Sequence, residues 1–147
     1  MTASGGIVLR HAADDAALRA CFPVMRELRP HLASAAAFLA QVRRQAATGY
    51  RLLAAWEGDA PVSLGGYRIV EMLVRGRYLY VDDLVTRESE RGRGLGARVL
   101  RALMDEARAA GLGALVLDTA ADNLAAHRFY ERMGMDVVAR RYAIALR

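Results

Sequence analysis

Residues 80–100 constrain this chain more than any other stretch. Tyr80-Val81-Asp82-Asp83-Leu84-Val85-Thr86 reads as a strand and Arg87-Glu88-Ser89-Glu90 as a charged turn. Arg91-Gly92-Arg93-Gly94-Leu95-Gly96 then reads as a glycine loop opening an amphipathic helix. Glycines let the backbone turn sharply and let a ligand approach without Cβ atoms in the way. The first N–H groups of the helix lack intrahelical acceptors and point outward, which suits an anion. Arg91 and Arg93 add guanidinium forks that match phosphate oxygens. A phosphate or pyrophosphate is the ligand this stretch predicts.

Spacing removes two familiar phosphate loops. A dinucleotide fingerprint needs G-x-G-x-x-G after the first strand, whereas Gly92, Gly94 and Gly96 are evenly spaced and follow a late strand; Asp118 falls where that motif wants an acid, but the glycine spacing fails. A P-loop needs Gly-Lys-Ser/Thr, and the chain contains no lysine.

Arg91-x-x-Gly94-x-Gly96 after a Leu-Val-Thr strand end closely resembles the pyrophosphate loop of the GNAT superfamily of acyl-CoA-dependent N-acetyltransferases. A second segment, Asn123-Leu124-Ala125-Ala126-His127-Arg128-Phe129-Tyr130-Glu131-Arg132-Met133-Gly134, resembles the same family's N-x-x-A-x-x-F-Y-x-x-x-G run. The two motifs lie in order at the family's usual separation and cover about the C-terminal half. The resemblance implies an α/β (α+β) fold over residues 1–147 as a single N-acetyltransferase domain. Its mixed, mostly antiparallel central sheet would be flanked by helices, with splayed parallel strands at the cofactor site. The Ala126–Tyr130 segment and the Arg-Pro after the first helix also resemble small-molecule-acetylating members, including aminoalkylphosphonate N-acetyltransferases.

At 147 residues the chain is long enough for one proper core and too short for two. Its 54% hydrophobic and 25% charged residues describe a soluble globular protein. No run approaches the roughly 20 apolar residues of a membrane span, and Met1 to Gly6 lacks the features of a signal peptide, so a cytoplasmic location is expected. Cys21 stands alone, which excludes an internal disulfide, and His11, His31 and His127 have no ligand-like spacing, so no metal is expected. The net charge of +5 raises a nucleic-acid-binding alternative, but the arginines are scattered; the charge fits an anionic cofactor equally well. A non-catalytic coenzyme A-binding sensor is the other alternative, and a homodimer stays open.

In chain order, Ile7 to Arg10 reads as a first strand, and Asp14 or Asp15 as the cap of a helix that buries Leu18, Cys21, Phe22, Met25 and Leu28. Pro23 is expected to kink or split that helix. Cys21 reads as core rather than as an acyl-carrying nucleophile. Ser34 caps a second helix with Phe38, Leu39 and Val42 inward. The joint between these helices, with Arg29 and His31, is where the resemblance places an acceptor pocket, although both residues read more readily as solvated loop. Tyr50 to Trp56, Pro61 to Met72 and Tyr78 to Thr86 form a meander, with a bulge or bend at Gly65-Gly66. Leu95, Val99, Leu100, Leu103 and Ala107 share one face of the next helix. Ala114 to Asp118 reads as a strand covered on both faces, Asp122 or Asn123 caps a helix through Met133, and Val137 to Leu146 is expected to close the sheet.

Carried over from the family residue by residue, Leu84, Val85 and Thr86 would offer backbone groups to the pantetheine and thioester. Arg91, Gly92, Arg93, Gly94, Leu95 and Gly96 would hold the pyrophosphate, and Asn123 would bond the pantetheine arm, if it does not serve simply as a helix cap. The implied reaction is direct attack of a primary amine, expected to be that of a small molecule, on acetyl-CoA. An alkylammonium must lose a proton before attack. Asp82 and Asp83 are the candidate bases, pointing to opposite faces by strand alternation; Asp82 comes first because it shares strand phase with Leu84 and Thr86, and a water-relayed base is the further option. Tyr130 matches the family tyrosine that protonates the departing thiolate; its other reading is a half-buried aromatic beside Phe129.

Overall fold

Three consecutive strand segments joined by tight turns decide the architecture, because their nearly continuous apolar runs must be paired with neighbours and covered on both faces. The computed structural model describes residues 6–147. The expectation that no leader is present therefore falls largely on residues 1–5, outside the described residues. Strands β1 (Ile7–His11), β2 (Arg51–Glu57), β3 (Ala60–Met72) and β4 (Gly76–Thr86) pair antiparallel in sequence order. A short β5 (Leu115–Leu117) follows β4 in the five-stranded sheet.

Helix α1 (Asp15–Leu28) begins where Asp14 accepts the Ala17 N–H at 2.8 Å, and α2 (Ala35–Ala46) where Ser34 Oγ accepts the Ala37 N–H at 3.1 Å. Pro23 does not split α1, which runs unbroken through it. The packing of Leu18, Cys21, Val24 and Met25 on both sides of the proline holds the helix together. Helices α1 and α2 cover one face of the sheet, where Leu52, Ala54 and Leu64 meet them. Helix α3 (Leu95–Ala109) covers the other, burying all five residues of its apolar stripe. Each fully buried leucine there contributes roughly 2 kcal/mol.

Gly65 and Gly66 mark where the register between β3 and β4 shifts. A Cβ on Gly65 would come within 2.7 Å of Val99 in α3, while one on Gly66 would come within 2.0 Å of Tyr50 Oη on the α1/α2 side. The register passes from Gly66 opposite Asp83 to Tyr67 opposite Val81, so the extra residue is Asp82, on the facing strand. A bulge is present as the glycines suggest, but its looped-out residue belongs to β4.

The chain forms two compact units, one reaching to Val116 and the other comprising Leu117–Arg147. In the second, α4 (Leu124–Arg132) starts at Asn123, whose Oδ1 accepts the Ala126 N–H at 3.2 Å, and ends at Gly134, whose φ of 86° suits glycine. Two sequence expectations fail here. The residues of β5 are half-buried rather than covered on both faces. Residues 137–146 form no strand, and Val137, Val138, Tyr142, Ile144 and Leu146 are exposed. Alternation states only which face a strand would bury once it is paired, and by itself supplies no pairing. Among the described residues no helix is long and apolar enough to cross a membrane.

Candidate active site

A cavity of about 300 Å³ opens between the α1–α2 joint and β4. Arg29 and His31 line it from the joint while His31 stays exposed, as a solvated loop residue would, and Arg29 is half-buried. Arg29 ends α1 and reaches across: its Nε donates to Asp83 Oδ1 at 3.0 Å, and its Nη2 donates to the Asp82 carbonyl at 2.9 Å. These bonds fix the guanidinium at the cavity's edge, where the side chain stays 41% exposed.

Asp82 and Asp83 both line the cavity. Strand alternation required opposite faces, and the bulge overturns it: with Asp82 looped out of register, consecutive side chains reach the same side. The strand phase that favoured Asp82 fails with it. Beyond the bulge Val85 packs into the α1/α2 core, so Leu84 and Thr86 occupy the opposite phase, and Thr86 Oγ1 meets Ser63 Oγ at 2.9 Å.

Each carboxylate is held by named partners. Arg68 Nε donates to both oxygens of Asp82 at 3.0 and 3.1 Å, and its Nη2 donates to Oδ2 at 2.6 Å. Those bonds raise the Arg68 pKa and keep its charge in place. Tyr50, 4% exposed, donates its hydroxyl to Asp83 Oδ2 at 2.8 Å. Burial first, then the Asp83 carboxylate, pushes the Tyr50 phenol well above its ordinary range, so it stays a donor.

The glycine loop stands at the far end of β4. Gly92 and Gly94 have φ values of 84° and 75°, and a Cβ on either would meet nothing within 4 Å. The glycines are thus demanded by backbone conformation, and the space beside them is open. Gly94 caps α3 without a side-chain bond, leaving first-turn N–H groups of a 15-residue helix for an anion. Arg91 is exposed and donates Nε to the Thr86 carbonyl at 3.3 Å. Arg93 is committed elsewhere, to Glu57 at 3.1 and 3.2 Å and to Glu90 at 2.6 Å.

In the second unit Tyr130 is half-buried beside Phe129, the two rings edge to face at 5.3 Å, and burial raises its phenol pKa. Asn123 performs its capping role, and His127 Nε2 lies 3.0 Å from the Ala121 carbonyl. Cys21 is fully buried, its thiol pushed up to about 12 by desolvation, which leaves it inert as a nucleophile. Among the described residues no group of three or more His, Cys, Asp or Glu side chains is placed to hold a metal.

The sequence profile of the Acetyltransferase (GNAT) family matches residues 10–135, most of the chain. The chain belongs to that family. Relatives agree: an uncharacterized N-acetyltransferase, YhdJ, of Bacillus subtilis (strain 168) is 34% identical over 121 residues, covering 79% of this chain and 82% of that protein. The L-methionine sulfoximine/L-methionine sulfone acetyltransferase of Pseudomonas paraeruginosa is 32% identical over 97 residues, 63% of this chain but 55% of that one. The structure of AAC(6')-Iy in complex with a bisubstrate analog superposes with a TM-score of 0.81 at 15% identity, covering 96% of this chain and 98% of that one, a likeness of fold. The protein is an N-acetyltransferase with a mixed α/β GNAT fold.

For this GNAT acetyltransferase the sequence reading missed Tyr50 and Arg68, which it placed only as strand residues. The adjacent glycines were the available signal. A position that tolerates no Cβ on the cavity side implies that another side chain fills the space, and that side chain is Tyr50.

Proposed function

We propose that the enzyme transfers the acetyl group of acetyl-CoA to the primary amine of a small molecule held in the cavity between the α1–α2 joint and β4. The observation that carries this reading is the convergence of Asp82 and Asp83 on that cavity. Two carboxylates, each already partnered by a guanidinium, still present lone pairs that attract an ammonium and orient it. Proton loss then goes to one of them or to a water they hold. The relative that acts on L-methionine sulfoximine and L-methionine sulfone supports a metabolite-sized amine as acceptor.

Arg91 and the N–H groups from Gly92 to Gly96 hold the pyrophosphate, with Arg93 shaping the loop through Glu57 and Glu90. Leu84, Val85 and Thr86 offer strand-end backbone groups to the pantetheine. The amine nitrogen bonds to the acetyl carbonyl carbon, the C–S bond breaks, and the thiolate leaves with a proton. Tyr130 is the proposed donor of that proton, supported by the family match of its segment, and Asn123 the proposed pantetheine contact alongside its capping role. A thiol-release assay over a panel of primary amines tests the reading: metabolite-sized amines should be turned over with acetyl-CoA. Acetylation of protein N-termini or lysines alone, with no small amine accepted, would overturn it.

A further inference from the structure

Helix α2 turns Phe38, Gln41, Val42 and Gln45 toward the cavity, spaced i, i+3, i+4, i+7 along one face. Phe38 and Val42 pack against the core, as that spacing demands, yet the other two positions carry amides. Gln41 Nε2 donates to Gln45 Oε1 at 2.9 Å. The bond fixes the pair and leaves Gln41 Oε1 as an acceptor and the Gln45 amide N–H groups as donors, without protein partners among the described residues.

The charges around the cavity are already matched, Arg29 with Asp83 and Arg68 with Asp82. The α2 wall adds none, because the helix's charged residues, Arg43 and Arg44, lie outside the lining, and Arg43 is tied to Asp15 and the Ala13 carbonyl. A group seated against this wall meets an acceptor and a donor but no counter-charge. A charged end would lose its hydration uncompensated. An apolar end would leave the two amides unpaired as it displaced water.

We propose that Gln41 and Gln45 read the far end of the acceptor amine. That end is a neutral hydrogen-bonding group, such as a carboxamide, sulfone or hydroxyl, on a short aliphatic stem packed by Met25, Leu32, Phe38 and Val42. A cavity of about 300 Å³ holds a molecule of that size. The inference rests on the small-molecule reading above.

The test compares kcat/KM for γ-aminobutyramide, its apolar isostere isohexylamine, γ-aminobutyrate and putrescine, with propylamine as the tail-less control. The parent enzyme should favour the amide over isohexylamine by about tenfold or more, and Gln41→Leu/Gln45→Leu should bring that ratio to about one or invert it. Gln41→Glu, nearly isosteric, should shift preference toward putrescine by adding the missing counter-charge, and it supplies the readout should the double variant fail to fold. A parent ratio near one, or a ratio that survives the leucine pair or is unmoved by Gln41→Glu, overturns the proposal while leaving the enzyme a small-amine acetyltransferase. Failure to acetylate any of the five amines, propylamine included, sinks the small-molecule reading itself.

Discussion

Tyr50 and Asp83 are joined by a 2.8 Å hydrogen bond that only a glycine at position 66 leaves room for. A Cβ there would lie 2.0 Å from Tyr50 Oη and 2.7 Å from Asp83 Oδ2, closer than real atoms approach. Gly66→Ala must therefore part the two groups and disturb one of the cavity's carboxylates. We expect a loss of about 1–3 kcal/mol in stability and a larger fall in kcat/KM for the acceptor than in acetyl-CoA affinity. Tyr50→Phe breaks the same bond, so the two substitutions should be non-additive in a double-mutant cycle read by urea unfolding. Strict additivity would mean that Gly66 does not serve that bond.

Acetyl-CoA binding should depend on Arg91 more than on Arg93. Among the described residues the Arg91 side chain makes one hydrogen bond, to a backbone carbonyl, whereas Arg93 is held by two carboxylates. Arg91→Ala removes a charge-assisted contact worth roughly 1.5–3 kcal/mol, or about 10- to 150-fold in Kd. Gly94→Val adds a β-branched side chain at a φ of 75° and should weaken binding as well as folding. Isothermal titration of both folded variants decides the matter. Affinity equal to the parent's in both would displace the phosphate loop from residues 91–96.

Much of this was legible because local chemistry and tertiary packing agree. The α3 stripe, the two side-chain caps of α1 and α2, and the glycine at the start of α3 each follow from residue type and period alone. The cavity was not legible, because it depends on a register shift. One looped-out residue at Asp82 reverses the face of everything on one side of it, and the sequence shows only paired glycines on the opposite strand. Arg29 looked solvated for a related reason: its partners lie 53 and 54 positions away, beyond the reach of any local pattern. The apolar alternation of 137–146 misled in the opposite way, because a period-two pattern marks which side chains share a face and not whether the segment is paired.

A cluster on the α3 face should make stability fall as pH drops below about 6.5. His11 Nε2 lies 2.7 Å from Tyr67 Oη and 3.2 Å from Glu106 Oε1, Tyr67 donates to Glu106 at 2.5 Å, and Arg51 stands 3.8 Å from Glu106. Burial first, then the Arg51 charge, lowers the His11 pKa against the pull of Glu106. The unfolded chain therefore binds the proton more readily than the folded one, and the His11 contribution is fully present above the unfolded value of about 6.5 and shrinks as pH falls below it. Urea unfolding at a series of pH values between about 7.5 and 5 should show stability declining with acidity, and His11→Gln should flatten that decline. An equal slope in the variant would assign the acid sensitivity to other groups.

Tyr130→Phe addresses the proton that the leaving thiolate requires. The exchange keeps the ring and its edge-on packing with Phe129 while deleting the hydroxyl, so folding and acetyl-CoA affinity should hardly change. General-acid help amounts to ~10²–10⁴-fold, so the single-turnover rate should fall by at least about tenfold. The acid works only while protonated, and activity should be lost as pH rises through its pKa. Burial raises that pKa, which puts the alkaline limb of the parent's profile above the ordinary tyrosine value of about 10. The phenylalanine variant should lack this limb and stay flat until the protein unfolds. Single-turnover rates rather than kcat are the measurement to make, because slow product release hides a slower chemical step. An unchanged rate with the alkaline limb intact would leave Tyr130 as a packing residue and give the acid's role to water.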